Sequence, residues 1–227
     1  MKTLHLLLLV LLCGTAVRAA PAARANASIR TLYLVRHGAY DREAKDDAGR
    51  VLTSLGIAQA RLVGARLRAM PAAFDSLVAS SMTRATQTAM VIRESFPGLA
   101  FECSDLLREC TPATRRADIM AGEKPAELAA AEKQLEAAFA KYFVPATDRD
   151  RSDVLVCHGN VMRWFVCKAL GVDTKAWLGI SVAHCSLTVI QVTPQGTYKV
   201  LAVGDVGHIP PNLQSGLTLM EPQLVTP

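Results

Sequence analysis

Short apolar runs alternate with longer amphipathic stretches along this chain, and that alternation most constrains its fold. Buried strands are predicted at 31–35, 74–79, 99–103, 153–157, 187–192 and 198–203, and helices at 53–70, 83–95, 125–143 and 160–170. Strands that alternate with helices form a largely parallel sheet covered by helices. The sequence therefore predicts the α/β class, and within it a three-layer α/β/α sandwich with a mostly parallel central sheet.

The first 25 residues differ from the rest of the chain. Met1-Lys2-Thr3 precedes an apolar run at 4–12, and Ala23-Arg24-Ala25 follows. A basic start, a short apolar run and an Ala-x-Ala site are typical of a secretory signal peptide. The run is well short of the roughly 20 residues that span a bilayer.

From this pattern we predict a signal peptide at 1–25, a domain at 26–227 with its core at about 30–207, and a periplasmic or secreted protein. Cleavage after Ala19 is an alternative. An uncleaved segment that anchors the protein to a membrane is another.

The charge of the remaining chain argues against a nucleic-acid partner. The whole chain has 25 basic and 20 acidic residues, but Lys2, Arg18 and Arg24 lie in the first 25 residues, which hold no acid. The rest therefore has 22 basic and 20 acidic residues. Nucleic-acid binding would call for a clustered basic stripe, so we predict none.

The cysteine pattern predicts no metal site. Five cysteines follow the first 25 residues, without a C-x-x-C pair and without the His and Cys spacing of a zinc site: Cys103, Cys110, Cys157, Cys167 and Cys185. The last three lie in apolar runs and read as small core residues. Cys103 and Cys110 flank a loop, and whether they pair in an oxidising compartment is left open.

Arg36-His37-Gly38 directly follows the first predicted strand. The carboxyl ends of strands in open α/β sheets carry ligand sites. An imidazole there can attack phosphorus, a guanidinium can hold phosphate oxygens, and a glycine lets the backbone approach closely. Taken alone, the tripeptide could equally well be a surface turn with a solvated arginine and an ordinary histidine.

Three further loops near predicted strand ends carry polar residues. Arg84 lies in the first turn of the helix at 83–95, where free N–H groups and the helix dipole favour an anion. Glu109 lies in the second of these loops. In the third, His158-Gly159 repeats the strand–His–Gly turn that carries His37. Each has an ordinary surface or core interpretation alone. Their joint occurrence predicts one cationic pocket at one edge of the sheet.

Several segments resemble the histidine phosphatase (phosphoglycerate mutase-like) superfamily in order and approximate spacing: LYLVRHGAYD, LTSLGIAQARLVGARL, SSMTRATQTA, LLREC and VLVCHGNVMRWFVCKALG. They cover about residues 30–207. Within the superfamily, VCHGNVMRWFVCKALG, AWLGISVAHCSLTVI and GDVGHIPP are similar to the mitochondrial-type serine/threonine phosphatase branch. The segment from Cys110 to Arg116 differs from that branch. In the family this region often shapes the opening through which the substrate enters, so the resemblance is weakest for the substrate.

The resemblance implies a role for each matching residue. It implies that His37 is the nucleophile and becomes a phosphohistidine, and that Glu109 protonates the leaving oxygen. The remaining implied roles are phosphate clamps for Arg36 and Arg84, a second pocket histidine for His158, a backbone N–H contact for Gly159, and a pocket-lining side chain for Asn160.

The resemblance also implies a phosphomonoester hydrolase that acts on phosphoserine or phosphothreonine protein, with no metal and no cofactor. The partner is then a phosphorylated substrate, and a homodimer is an open expectation. Two other functions stay as alternatives. One is a periplasmic phosphatase for a small ester of the sugar-phosphate type. The other is a phosphate-binding module with little turnover.

Overall fold

The computed structural model describes residues 28–217, and these contain a six-stranded sheet in the order β3-β2-β4-β1-β5-β6. The strands are β1 (Arg30–Arg36), β2 (Ser76–Ser80), β3 (Phe101–Ser104), β4 (Arg151–Cys157), β5 (Leu187–Val192) and β6 (Tyr198–Asp205). The pairs β1–β4, β2–β4 and β2–β3 are parallel, whereas β5 pairs antiparallel with β1 and with β6. The prediction of a mostly parallel sheet is confirmed.

Four helices begin and end close to their predicted limits, and a fifth, the short α3, was not predicted. They are α1 (Ser54–Arg68), α2 (Thr83–Arg93), α3 (Ala117–Met120), α4 (Pro125–Tyr142) and α5 (Gly159–Leu170). The Thr53 hydroxyl caps α1 by accepting a hydrogen bond from the Gly56 N–H at 3.2 Å. Gly171 ends α5 with a φ of 68°, a left-handed conformation that glycine adopts without a steric penalty.

Helices cover both faces of the sheet. On one face, Leu34 and Leu155 pack in a core with residues of α4 and α5, among them Phe139 and Trp164. On the other face, Val35 packs in a second core with Val63 of α1 and Ile92 of α2. Alternate residues of a strand point to opposite faces, so the apolar runs at 32–35 of β1 and 154–157 of β4 are continuous because both faces of the sheet are covered there. The three-layer α/β/α prediction is confirmed.

The register of β1 against β4 positions the site. Arg36 pairs with Cys157 at the carboxyl end of the two parallel strands. The next residue on each strand is a histidine, and the His37 N–H donates to the Cys157 carbonyl at 2.9 Å. The two strand-end histidines are therefore neighbours, although 121 positions separate them in the sequence.

The remaining predictions concern the amino-terminal segment, the cysteine pair and the residues after Gly207. The predicted signal peptide at 1–25 lies outside the described residues. Within 28–217, no helix combines the length and the apolar character needed to cross a bilayer. Cys103 and Cys110 are both free thiols, so the pairing left open above is not formed. Residues 208–217 are irregular as predicted, with a short 3-10 turn at Pro211–Leu213.

The loop that carries His37 packs directly against the first turn of α1. A Cβ built on Gly38 would lie 2.7 Å from the Gly56 carbonyl oxygen, and a Cβ on Gly56 would overlap the Ala39 carbonyl oxygen. The Thr53 N–H donates to the same Ala39 oxygen at 3.0 Å. Only two facing glycines allow this approach of backbone to backbone.

The substitution Gly56→Ala tests this packing. It should lower the free energy of unfolding by about 2 kcal/mol, because backbone atoms must move to accommodate the methyl group. Gly64→Ala in the same helix is the matched control. Its Cβ would lie 3.3 Å from the Ser95 hydroxyl, which can rotate away, and alanine favours a helix more than glycine does. Equal urea midpoints for the two variants would contradict the interpretation.

Candidate active site

His37 is buried at the end of β1 and is held in one tautomer. It is 2% exposed, and its Nδ1 lies 2.9 Å from the Gly38 carbonyl oxygen. A carbonyl oxygen only accepts hydrogen bonds, so Nδ1 carries the hydrogen and Nε2 keeps its lone pair. Arg84 Nε donates to that Nε2 at 3.2 Å. The Nε2 lone pair of His37 therefore accepts a hydrogen bond from a guanidinium.

The surroundings of His37 favour its neutral form. Burial is the largest cause that holds the pKa of His37 well below its ordinary value, and His158, Arg36 and Arg84 lower it further. Removing an imidazole from water disfavours its charged form, and nearby cations add to this effect. A neutral imidazole is the form that can act as a nucleophile.

Arg84 projects from the first turn of α2 and is 3% exposed. Its Nη1 lies 3.5 Å from Asp47 Oδ1, and its guanidinium carbon lies 4.9 Å from the centre of the Tyr40 ring. Asp47 Oδ2 also accepts a hydrogen bond from the Thr83 N–H at 3.1 Å, which caps the start of α2. Asp47 therefore stabilises both the helix end and the arginine beside it.

Arg36 is fixed by a different part of the chain. Its Nη1 donates to the Val182 and Gly216 carbonyl oxygens, each at 2.7 Å. Burial is the main cause that lowers its pKa, to about 10, so the guanidinium keeps its charge at neutral pH. A Cβ on Gly159 would lie 3.4 Å from Arg36 Nε, and glycine therefore leaves room for the guanidinium beside the start of α5.

His158 is the fully buried N-cap residue of α5. Its ring centre lies 5.0 Å from that of His37, and its Nε2 lies 2.8 Å from Ser80 Oγ. Burial, followed by the charges of Arg84 and Arg36, holds the pKa of His158 well below its ordinary value. The second predicted histidine is therefore neutral as well.

Glu109 is the acid of the pocket, and burial raises its pKa to about 7. Arg36, Arg84 and the N–H groups of Asn160 and Cys110 act in the opposite direction, but they are weaker than the desolvation. Asn160 also donates from Nδ2 to the Cys110 carbonyl at 3.1 Å. Asn160 thus holds the loop that carries Glu109 rather than only lining the pocket.

Four buried polar atoms of this cluster find no hydrogen-bond partner among residues 28–217: Arg36 Nε, Glu109 Oε1, His158 Nδ1 and His184 Nε2. Buried polar atoms in folded proteins are nearly always satisfied, so atoms of this kind around one histidine indicate a ligand site. Two fixed guanidiniums favour an anion. In the same described range, no group of three or more His, Cys, Asp or Glu residues could hold a metal ion.

The structure brings all seven predicted site residues to one edge of the sheet. It also adds residues that the sequence analysis missed. His184 precedes β5 with its ring centre 5.4 Å from that of His37, and Tyr40 lies 5.1 Å from His37 in an edge-on orientation. Asp47 and the segment around Ser215 also reach the site. His184 lies inside AWLGISVAHCSLTVI. The only feature of the sequence that could have pointed to it is its position as a polar residue just before a strand.

The fold and the pocket together define a class: α/β sandwiches with a cationic pocket around a strand-end histidine. Comparison with protein families refines it. Residues 32–141 and 114–205 match the sequence model of the histidine phosphatase superfamily, branch 1. The chain belongs to this superfamily, and the predicted membership is confirmed.

Curated relatives lie in the phosphatase branch. The chain is 37% identical to the mitochondrial serine/threonine-protein phosphatase Pgam5 of Caenorhabditis briggsae, over 83% of this chain and 67% of the relative. It is 35% identical to the corresponding human protein, over 81% of this chain and 65% of the relative. The chain thus spans about two thirds of the length of these relatives.

Solved structures show the same fold. The phosphoglycerate mutase of Bacillus anthracis has a TM-score of 0.64 at 22% identity, over 82% of this chain and 97% of that chain. The phosphoglycerate mutase of Plasmodium falciparum has a TM-score of 0.58 at 26% identity, over 81% and 95%.

One prediction is wrong. We expected a periplasmic or secreted protein, but the relatives are named as mitochondrial proteins. The prediction of export rested only on the apolar and basic composition of the first 25 residues. The expectations of a possible homodimer, of no nucleic-acid partner, and of membrane contact only if the amino-terminal segment stays uncleaved remain predictions.

The raised pKa of Glu109 should appear in the stability of the protein. The folded state keeps the carboxyl proton up to about pH 7, whereas the ordinary value is 4.5. Raising the pH across this window therefore destabilises the folded state. Relative to Glu109→Gln, the wild type should lose about 2 to 3 kcal/mol of unfolding free energy between pH 4.5 and pH 8.

Urea denaturation at several pH values measures this difference. Glu94→Gln, which removes an exposed carboxylate paired with Arg61, is the control and should follow the wild type. Parallel stability curves for wild type and Glu109→Gln would show that Glu109 ionises normally.

Proposed function

We propose that this protein is a phosphomonoester hydrolase that acts through a phosphohistidine at His37, on phosphoserine or phosphothreonine in proteins. The observation that carries the proposal is the Nε2 lone pair of a neutral, buried His37 lying 3.2 Å from Arg84. That nitrogen carries no hydrogen and can attack once a phosphoryl group takes over the hydrogen bond from Arg84, and the guanidinium attracts the phosphoryl group to this position.

The first step forms one bond and breaks another. His37 Nε2 bonds to phosphorus while the bond from phosphorus to the ester oxygen breaks. Arg36 and Arg84 hold the non-bridging oxygens. When the Ser80 hydroxyl donates to His158 Nε2, the hydrogen of the neutral ring is on Nδ1, which faces the same pocket. Fixed donors of this kind stabilise the charge that is spread over the phosphoryl oxygens in the transition state.

Glu109 handles the proton. An alkoxide is a poor leaving group, so protonated Glu109 gives its hydrogen to the departing oxygen. In the second step Glu109, now ionised, takes a proton from water, the water oxygen bonds to phosphorus, and His37 leaves unchanged. A pKa of about 7 lets one carboxyl group serve both steps at neutral pH.

The substrate class rests on the relatives, which are named serine/threonine-protein phosphatases. The opening of the pocket beside Glu109, its mouth, is formed by the segment from Cys110 to Arg116. This segment is hydrogen-bonded to a neighbouring 3-10 helix at Thr174–Gly179. The Thr114 hydroxyl donates to the Lys175 carbonyl at 3.2 Å, and Trp177 Nε1 donates to the Ala113 carbonyl at 3.1 Å. An ordered mouth of this kind provides a surface for residues on either side of a phosphorylated side chain.

The proposed catalytic domain covers residues 26–227. Its extent beyond the predicted core is supported by the hydrogen bond from Arg36 to Gly216, because this contact makes the residues around Gly216 part of the pocket.

The covalent intermediate gives the most direct test. Wild-type protein should hydrolyse p-nitrophenyl phosphate, and a denaturing quench at alkaline pH, where phosphohistidine survives, should trap labelled phosphate on His37. His37→Ala should lose both the turnover and the label. His208→Ala is the matched control, because His208 is another partly buried histidine, bonded to the Cys185 carbonyl at 3.0 Å. Label on any other residue would refute the mechanism.

A substrate panel tests the phosphoprotein assignment and the acid together. Phosphoserine and phosphothreonine peptides should give higher kcat/KM than sugar phosphates, and the reverse order would favour the small-ester alternative. Glu109→Gln should lose about 10²-fold or more on these alkyl esters. In the first turnover, before water must be activated, it should lose far less on p-nitrophenyl phosphate, whose phenol leaves without a proton. Equal losses in the first turnover on both substrate types would argue against proton donation.

A further inference from the structure

His184 occupies a place in the pocket that the proposed chemistry does not yet use. It is 5% exposed, and its ring centre lies 5.4 Å from that of His37 and 6.2 Å from that of Tyr40. Its Nε2 is buried and has no hydrogen-bond partner within the part of the chain that the structure describes. The direction of the hydrogen on this ring determines what His184 can do.

A chain of hydrogen bonds from the His37 loop determines that direction. The Ala39 N–H donates to Gln59 Oε1 at 2.9 Å, which fixes the orientation of the Gln59 amide. Gln59 Nε2 then donates to the Leu213 carbonyl at 2.7 Å and to Ser215 Oγ at 2.9 Å. Both amide hydrogens are thereby used.

Ser215 passes this constraint on to His184. Its Oγ accepts from Gln59, and the same Oγ lies 2.9 Å from His184 Nδ1. The Ser215 hydroxyl hydrogen has no other acceptor among residues 28–217, so it is satisfied by pointing to Nδ1, and a ring nitrogen that accepts a hydrogen bond carries no hydrogen in the neutral ring. The hydrogen of His184 is then on Nε2. Burial lowers the pKa of His184 to about 3, so the ring is neutral.

The same segment also holds Arg36. The Gly216 carbonyl accepts from Arg36 Nη1 at 2.7 Å, and the Ser215 carbonyl accepts from the His184 N–H at 2.9 Å. A Cβ on Gly216 would lie 2.6 Å from His184 Nδ1. Arg36 and His184 are thus positioned together by the same segment.

We propose that His184 is a further substrate-contacting residue, whose Nε2–H donates a hydrogen bond to a phosphoryl oxygen, and that Gln59 and Ser215 are positioning residues that set its tautomer. This inference rests on the proposed function, because it assigns a donor to the same phosphate. A neutral donor adds a directed hydrogen bond without adding a charge to a pocket that already holds two guanidiniums.

The tautomer can be read without any substitution. Nitrogen-detected NMR of histidine-labelled wild-type protein should show the His184 hydrogen on Nε2, and titration with inorganic orthophosphate should shift that signal. A hydrogen on Nδ1, or a signal unaffected by saturating orthophosphate, would overturn the proposal. Neither reading requires turnover, so the result stands even if the proposed hydrolase activity is absent.

Kinetics supply the second readout. His184→Ala should lower kcat/KM for p-nitrophenyl phosphate and weaken inhibition by orthophosphate, each by about ten- to a hundred-fold, the usual loss of one hydrogen bond to a charged group. His184→Asn, whose amide can donate, should recover part of both. His208→Ala is the control and should match the wild type. An active wild type with an equally active His184→Ala would overturn this proposal and leave the proposed function intact.

The positioning role is tested by a double-mutant cycle. Ser215→Ala should reduce kcat/KM in the wild-type background but have little further effect in His184→Ala, because Ser215 acts through His184. Independent, additive losses would show that Ser215 supports the fold and not the tautomer.

Discussion

Seven paired residues join β1 to β4, from Arg30 opposite Arg151 to Arg36 opposite Cys157, and the pocket depends on this register. A shift by one residue would turn each buried side chain toward the other face of the sheet, so the two apolar cores hold the register in place. The register in turn brings His37 beside His158. The catalytic geometry is therefore a consequence of how Leu34, Val35, Leu155 and their neighbours are buried.

Burial also sets the charges of the pocket. It keeps His37 and His158 neutral and holds the proton on Glu109, while Arg36 and Arg84 stay charged. Desolvation moves acids and bases in opposite directions, so a single physical cause yields a nucleophile with a free lone pair and an acid with a proton to give. The arginines supply positive charge because a guanidinium remains protonated even when its pKa falls.

Much of this could be predicted from the sequence, since the signals were local. Alternating patterns gave the strands and helices, and polar residues just after apolar runs gave His37, Arg84 and His158. The missed residues depend on contacts between distant parts of the chain. Nothing near Gln59 or Ser215 indicates that they share a hydrogen bond across 156 positions. The wrong prediction of location came from composition at the amino terminus, which carries no information about the packed domain.

The bond between Arg36 and the Gly216 carbonyl spans 180 positions, and this separation has a consequence for folding on the ribosome. At about 5–20 residues per second, Arg36 is made roughly 10 to 40 seconds before its acceptor exists. Late in this interval β1 can pair with β4, yet the cation at its end still lacks one of its two carbonyl acceptors. The sheet and the pocket are thus expected to mature at different times, and a stall in translation between the two would leave a folded core with an incomplete anion site.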